Sequence, residues 1–151
     1  MEIDLNHILD TSSKDHPQLL KIWEDSVRAT HDFLNEQHIV QIKESIIQHH
    51  YFDHVQLFHV ERDGKIAGFM GLAYQKVEML FVDPQFFDQG IGSILIKKAF
   101  ELGAHEIDVN EQNQRALNFY LKHGFKQIAR SELDSEGRPF PILHLRFPNH
   151  C

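Results

Sequence analysis

The chain has 151 residues, a length that suits one domain able to bury roughly two thirds of its unfolded surface without disulfide or metal staples. Hydrophobic residues make up 42% and charged residues 25%, and the formal net charge of −7 argues against a nucleic-acid partner, which needs a basic stripe. No apolar run is long enough to cross a membrane, MEIDLNHILD carries no basic leader region, and the single cysteine, Cys151, leaves no internal disulfide, so a reducing cytoplasm is the expected location.

In chain order, Glu2 to Leu9 alternates weakly and predicts a strand. Pro17 suits the first turn of a helix, and Leu19, Ile22, Trp23, Ser26 and Val27 continue it as a helical stripe. A second stripe runs through Ile39, Ile42, Ile46 and Ile47. His54–Val60, Ile66–Tyr74 and Val77–Val82 read as strands, with Asp63-Gly64 as the hairpin turn between the first two. Ile91, Ile94, Leu95, Ala99 and Leu102 mark a third helix, followed by a short strand at His105–Val109 and a fourth helix at Asn113–His123. Phe125–Arg130 and Ile142–Phe147 close the chain as strands around a turn at Glu136-Gly137. Periodicity alone supports a mixed α/β or α+β domain. The twelve histidines would carry the charge from −7 to +5 if all were protonated, so surface electrostatics should change below pH 6.5. His49, His50 and His54 complete no three- or four-ligand pattern, and no metal is expected.

The segment LFVDPQFFDQGIGSILIKKAF, from Leu80 to Phe100, carries most of the chemistry. A strand ends at Asp83-Pro84, a polar turn follows, and Gly90-Ile91-Gly92 opens the third helix. Glycines let bare N–H groups approach a ligand, and a helix N-terminus adds partial positive charge, which suits a phosphate or pyrophosphate. A dinucleotide fold would need a third glycine where Leu95 stands, and a nucleoside-triphosphate loop would need Gly-Lys-Ser/Thr, which is absent. A second motif, NQRALNFYLKHGF at 113–125, sets Asn113, Ala116 and Tyr120 near one helical face, with Gly124 at the helix end.

These two motifs resemble those of the GNAT acyl-CoA-dependent N-acetyltransferases: Arg/Gln-x-x-Gly-x-Gly/Ala, then Asn-x-x-Ala-x-x-Phe-Tyr with Gly-Phe after it. One position departs, since Phe87 stands at the Arg/Gln site. The resemblance implies a mixed, mostly antiparallel sheet of about seven strands with four helices. Its fourth and fifth strands, here Val77–Val82 and His105–Val109, would splay to admit acetyl-CoA.

By the same resemblance, the backbone at Phe81 and Val82 would hold the pantetheine arm and polarise the thioester. Gln89, Gly90, Gly92 and Ser93 would surround the pyrophosphate, Asn113 would bond the pantetheine, and Tyr120 would protonate the leaving thiolate. The base is open. The position where some members carry a glutamate or histidine is Lys76, which is protonated at neutral pH. Glu78 is the catalytic candidate beside it, Asp108 is a further polar candidate, and an amine already deprotonated in solution needs no protein base. His31 and Asp32, at the break between the first two helices, are candidates for acceptor contact.

The implied function is transfer of an acetyl group to a primary amine of a small molecule or protein. A non-catalytic acyl-CoA-binding or sensing module is the alternative that Phe87 and Lys76 keep open. Either a monomer or a homodimer is compatible, the latter through an exposed last strand.

Overall fold

The computed structural model of the protein describes residues 8–148. The elements follow in the order β1 (Ile8–Asp10), α1 (His16–Thr30), α2 (Glu36–Gln48), β2 (Gln56–Arg62), β3 (Lys65–Ala73), β4 (Lys76–Val82), α3 (Ile91–Glu101), β5 (Glu106–Asn110), α4 (Gln114–Lys122), β6 (Lys126–Ser131) and β7 (Ile142–Arg146). The seven strands form one sheet in the order β1-β2-β3-β4-β5-β7-β6. Every neighbouring pair is antiparallel except β4 and β5.

Each face of the sheet has its own apolar core. Under α1 and α2, Leu19, Ile22 and Ile39 pack onto Leu57 and Phe69. On the opposite face, Leu95, Ile96 and Ala99 of α3 and Tyr120 of α4 pack onto Val60, Met70, Ile107 and Leu145. Leu19 and Ile22 are fully enclosed, and removing either side chain from water stabilises the fold by about 2 kcal/mol. The hairpin between β2 and β3 turns through Asp63 (φ 54°) and Gly64 (φ 75°), as the Asp-Gly pair predicts.

Of the predicted first strand, residues 2–7 lie outside the described residues and Ile8 and Leu9 belong to β1. Three expectations need correction. His54 belongs to a short 3-10 turn, Tyr51–His54, and β2 begins two residues later. That turn delivers Phe52 into the core, edge-on against Phe69 at 5.9 Å. Ile47 is 53% exposed, because Ile39, Ile42 and Ile46 share one side of α2 while position 47 lies about 100° further round. The last strand is not exposed at the margin: β7 lies between β5 and β6, and β6 forms the edge. Among the described residues no helix is long and apolar enough to cross a membrane.

Candidate active site

The gap between β4 and β5 has a local cause. The two strands pair only at Lys76↔Glu106 and Val77↔Ile107. On the other side of β4, Leu72 pairs with Val77 and Gly71 with Met79, so Glu78 is the extra residue of a β-bulge. Side-chain direction records it: Val77, Leu80 and Val82 join the core under α3, while Met79 and Phe81 join the core under α1 and α2. A bulge bends its strand and raises its twist. From Glu78 onward β4 turns away from β5, leaving one main-chain edge without a strand to pair with. Phe81 and Val82 both line the resulting cavity of about 560 Å³.

At one end of this cavity lies the start of α3. Gly90 precedes the helix at φ 79°, a left-handed conformation suited to glycine, and no side chain caps the first turn. The first main-chain bond inside the helix runs from Ile94 N–H to Gly90 O, so the N–H groups of residues 91–93 remain available. A Cβ on Gly90 would meet no atom within 4 Å, so the approach is open. Gly92 also lines the cavity, but its lack of a side chain serves packing as well: a Cβ there would come within 3.0 Å of the Phe119 ring. These features fit the pyrophosphate of an acyl-CoA.

Ser93 lines the cavity, but its hydroxyl bonds His123 Nε2 at 2.9 Å. His123 Nδ1 donates to Phe119 O at 2.9 Å, so in the neutral ring Nε2 accepts from Ser93. Gln89 is exposed and is not among the cavity-lining residues, because the chain turns through Asp88 at φ 63° just before it. Its side chain thus stands off the cavity wall where a pyrophosphate contact was expected. Phe87, the departure from the motif, carries the Arg115 guanidinium over its ring at 4.5 Å. Arg115 also reaches Asp88 at 3.1 Å, and α4 thus brings a cation beside the position where Phe87 replaces the Arg/Gln of the motif.

Helix α4 supplies the two polar groups of the second motif. Asn113 is its N-cap, with Oδ1 accepting from Ala116 N–H at 3.2 Å. Tyr120 is only 6% exposed, yet its oxygen is not a sealed unsatisfied atom and has no hydrogen-bond partner among the described residues. The hydroxyl therefore opens into the cavity that the residue lines. Burial raises the phenol pKa, which keeps the proton on oxygen at neutral pH.

Polar groups on the lip of the gap are tied to one another. Lys76 Nζ donates to Asp108 Oδ2 at 2.7 Å, and His144 Nδ1 donates to Asp108 Oδ1 at 2.7 Å. Burial pulls the Lys76 pKa down, but the bond and charge of Asp108 outweigh it and leave the ammonium above its ordinary value. Lys76 thus stays charged. Glu78 lines the cavity 3.9 Å from Lys76 Nζ. Glu78, Met79 and Phe81 also line a second, aromatic-rich cavity of about 450 Å³ between β4 and the first two helices. His31 lines the main cavity from the end of α1, whereas Asp32 is exposed and is not among its lining residues. Arg115, His123 and Thr30 were not marked by the sequence, because Arg115 and His123 stand at unspecified positions of the second motif and Thr30 belongs to no motif.

A splayed parallel pair beside an uncapped helix start and a buried tyrosine defines an acyl-CoA transferase site. The chain belongs to the GNAT acetyltransferase family and is an N-acetyltransferase. The model for the acetyltransferase (GNAT) domain matches residues 53–127. The chain is 38% identical over 133 residues to the peptidyl-lysine N-acetyltransferase YjaB of Salmonella typhimurium, covering 87% of this chain and 90% of that protein. The solution structure of apo-form YjaB from Escherichia coli superimposes with a TM-score of 0.85 at 32% identity, over 95% of this chain and 98% of the other. The fold is shared more widely. The PaiA N-acetyltransferase of Thermoplasma acidophilum, solved in complex with coenzyme A, matches at a TM-score of 0.67 and 20% identity over 93% of this chain and 98% of that one.

Proposed function

We propose that the protein acetylates lysine side chains of proteins or peptides by direct transfer from acetyl-CoA, with Tyr120 as the general acid. The observation that carries this reading is the Tyr120 hydroxyl, protonated and without a described partner, opening into the cavity that runs from the parted strands to the bare start of α3. The similarity to a peptidyl-lysine N-acetyltransferase supports the choice of acceptor.

Acetyl-CoA supplies an activated thioester. The chain's own groups do the rest. The N–H groups at the start of α3, with Arg115 nearby, hold the pyrophosphate. The free edge of β4 at Phe81 and Val82 holds the pantetheine arm and polarises the carbonyl. Asn113 contributes its amide, and Tyr120 protonates the sulfur as it departs. Of the earlier candidates for the base, Asp108 is engaged by Lys76 and His144, and Glu78 shares the field of Lys76.

Tyr120→Phe tests the assignment. Thiol release from acetyl-CoA in the presence of a lysine peptide should fall about 100-fold, while acetyl-CoA still protects the variant against heat as it protects the wild type. Undiminished turnover would reject the acid role. Protection without turnover in the wild type, across peptides and small amines, would make the chain an acyl-CoA-binding module instead.

A further inference from the structure

The end of α1 presents a group unlike the tied polar side chains on the lip of the gap. His31 terminates the helix and is held from both sides: its N–H donates to Val27 O at 2.8 Å, and its C=O accepts from Leu34 N–H at 3.0 Å. Phe33 flanks the ring at 5.2 Å. The tautomer follows from the neighbouring residue. Thr30 donates its only hydroxyl proton to Ser26 O at 2.8 Å, so its oxygen must accept at 2.8 Å from His31 Nδ1. Nδ1 therefore carries the proton, and Nε2 keeps its lone pair as the acceptor of the ring. Its one described polar neighbour is Asn113 Nδ2 at 3.5 Å, the limit of a hydrogen bond. The Asn113 amide faces this way because its oxygen is occupied in capping α4. Ser26, Thr30, His31, Asn113 and Tyr120 all line the same cavity.

We propose that His31 is the base of the transfer, taking the proton of the attacking amine through Nε2, with Thr30 as the positioning residue that fixes its tautomer. The proposal rests on the acetyl-transfer reading above. In the step itself, the lone pair of the neutral lysine amine forms a bond to the thioester carbonyl carbon. The carbon–sulfur bond breaks with its electron pair leaving on sulfur. One amine proton passes to His31 Nε2, and the Tyr120 proton passes to sulfur. His31 then releases its proton to water and Tyr120 regains one, so the net result is amide plus thiol.

A weak base suffices here, because the nitrogen becomes cationic, and therefore acidic, as the new bond forms. Burial holds His31 neutral, its pKa lowered to about 4, so the lone pair is present throughout the working range; the charge of Asp32 partly offsets the burial and favours the protonated ring once formed. Thr30 and Nδ1–H stay bonded throughout, so the imidazole changes charge without turning.

The test uses the full chain, acetyl-CoA and a lysine peptide. His31→Ala should reduce transfer about 100-fold and retain heat protection by acetyl-CoA, and added imidazole should return at least about tenfold of the lost rate. Recovery by a diffusible base reports proton transfer, which a structural role would not produce. A full rate in His31→Ala, or a lost rate that imidazole leaves unchanged, would overturn the proposal. Should His31→Ala fail to fold, Thr30→Val should lower transfer about tenfold with an unchanged KM for acetyl-CoA, and Thr30→Ser should restore it. Thr30→Val at full rate would equally overturn it. A wild type that binds acetyl-CoA and acetylates nothing would remove the underlying reading, a result distinguishable from failure of the histidine variants alone.

Discussion

Between the pKa of about 4 that burial imposes on His31 and the ordinary value of 6.5, the unfolded chain holds a proton that the folded chain does not. The sign follows directly: this contribution to stability is fully present above pH 6.5, is lost as pH falls through the interval, and levels off below pH 4. Across pH 6.5 to 5 it amounts to about 2 kcal/mol. His31→Gln should therefore lose about 2 kcal/mol less than the wild type between pH 7 and pH 5, read from urea midpoints. Parallel losses in the two proteins would contradict a buried neutral imidazole. At this scale the motif spacing was legible as placement: Gly90, Asn113 and Tyr120 all line one cavity, while the cap that Asn113 gives α4 was not read from it. The sequence was illegible where a turn decides direction. Gln89 and Asp32 sit one residue from cavity-lining positions, and nothing in their identity reveals on which side of the chain they fall. The guanidinium over Phe87 comes from Arg115, on a helix distant in sequence, which no local pattern encodes.

Among the elements, periodicity recovered the order of strands and helices because each has one buried face. It missed the bulge at Glu78, since Lys76-Val77-Glu78-Met79 reads as an unbroken strand and the extra residue is visible only from its pairing with β3. The family resemblance anticipated the splay without its cause. Helix α2 illustrates the local terms that hold the start of a helix in place. Asn35 Oδ1 accepts from His38 N–H at 2.8 Å at its start, and Arg28 of α1 grips Glu36 through two bonds of 2.6 and 2.8 Å. The exposed ion pair adds little once screened, so the cap is the stronger term. Asn35→Ala should lower stability by about 1 kcal/mol in a urea titration, with the larger part retained in high salt. An unchanged midpoint would show that the start of α2 is held by packing alone.

For the whole molecule, the edge strand β6 bears on self-association. Its pairing with β7 skips Ile128, a bulge, and Lys126 and Arg130 flank that irregularity. Bulges and charges discourage edge-to-edge pairing. The protein should therefore sediment as a monomer at micromolar concentration, and a mass that rises with concentration would contradict this. At the other end of the order, among the described residues, Ile8 to Asp10 of β1 pair with β2.

The parting of β4 from β5 has a mechanical consequence. The sheet consists of two panels, β1-β2-β3-β4 and β5-β7-β6, which share the core under α3 and α4 but whose strands meet at the closed end of the gap alone, through two residue pairs, the bonds of His105 and Glu106 N–H to Gln75 O, and the Lys76–Asp108 contact. Such a seam transmits little load between the panels by itself. An acyl-CoA arm seated along it would touch both at once and act as the missing rungs of the ladder. The substrate would then brace the frame that holds it, and its departure after transfer would return the enzyme to its more pliant form.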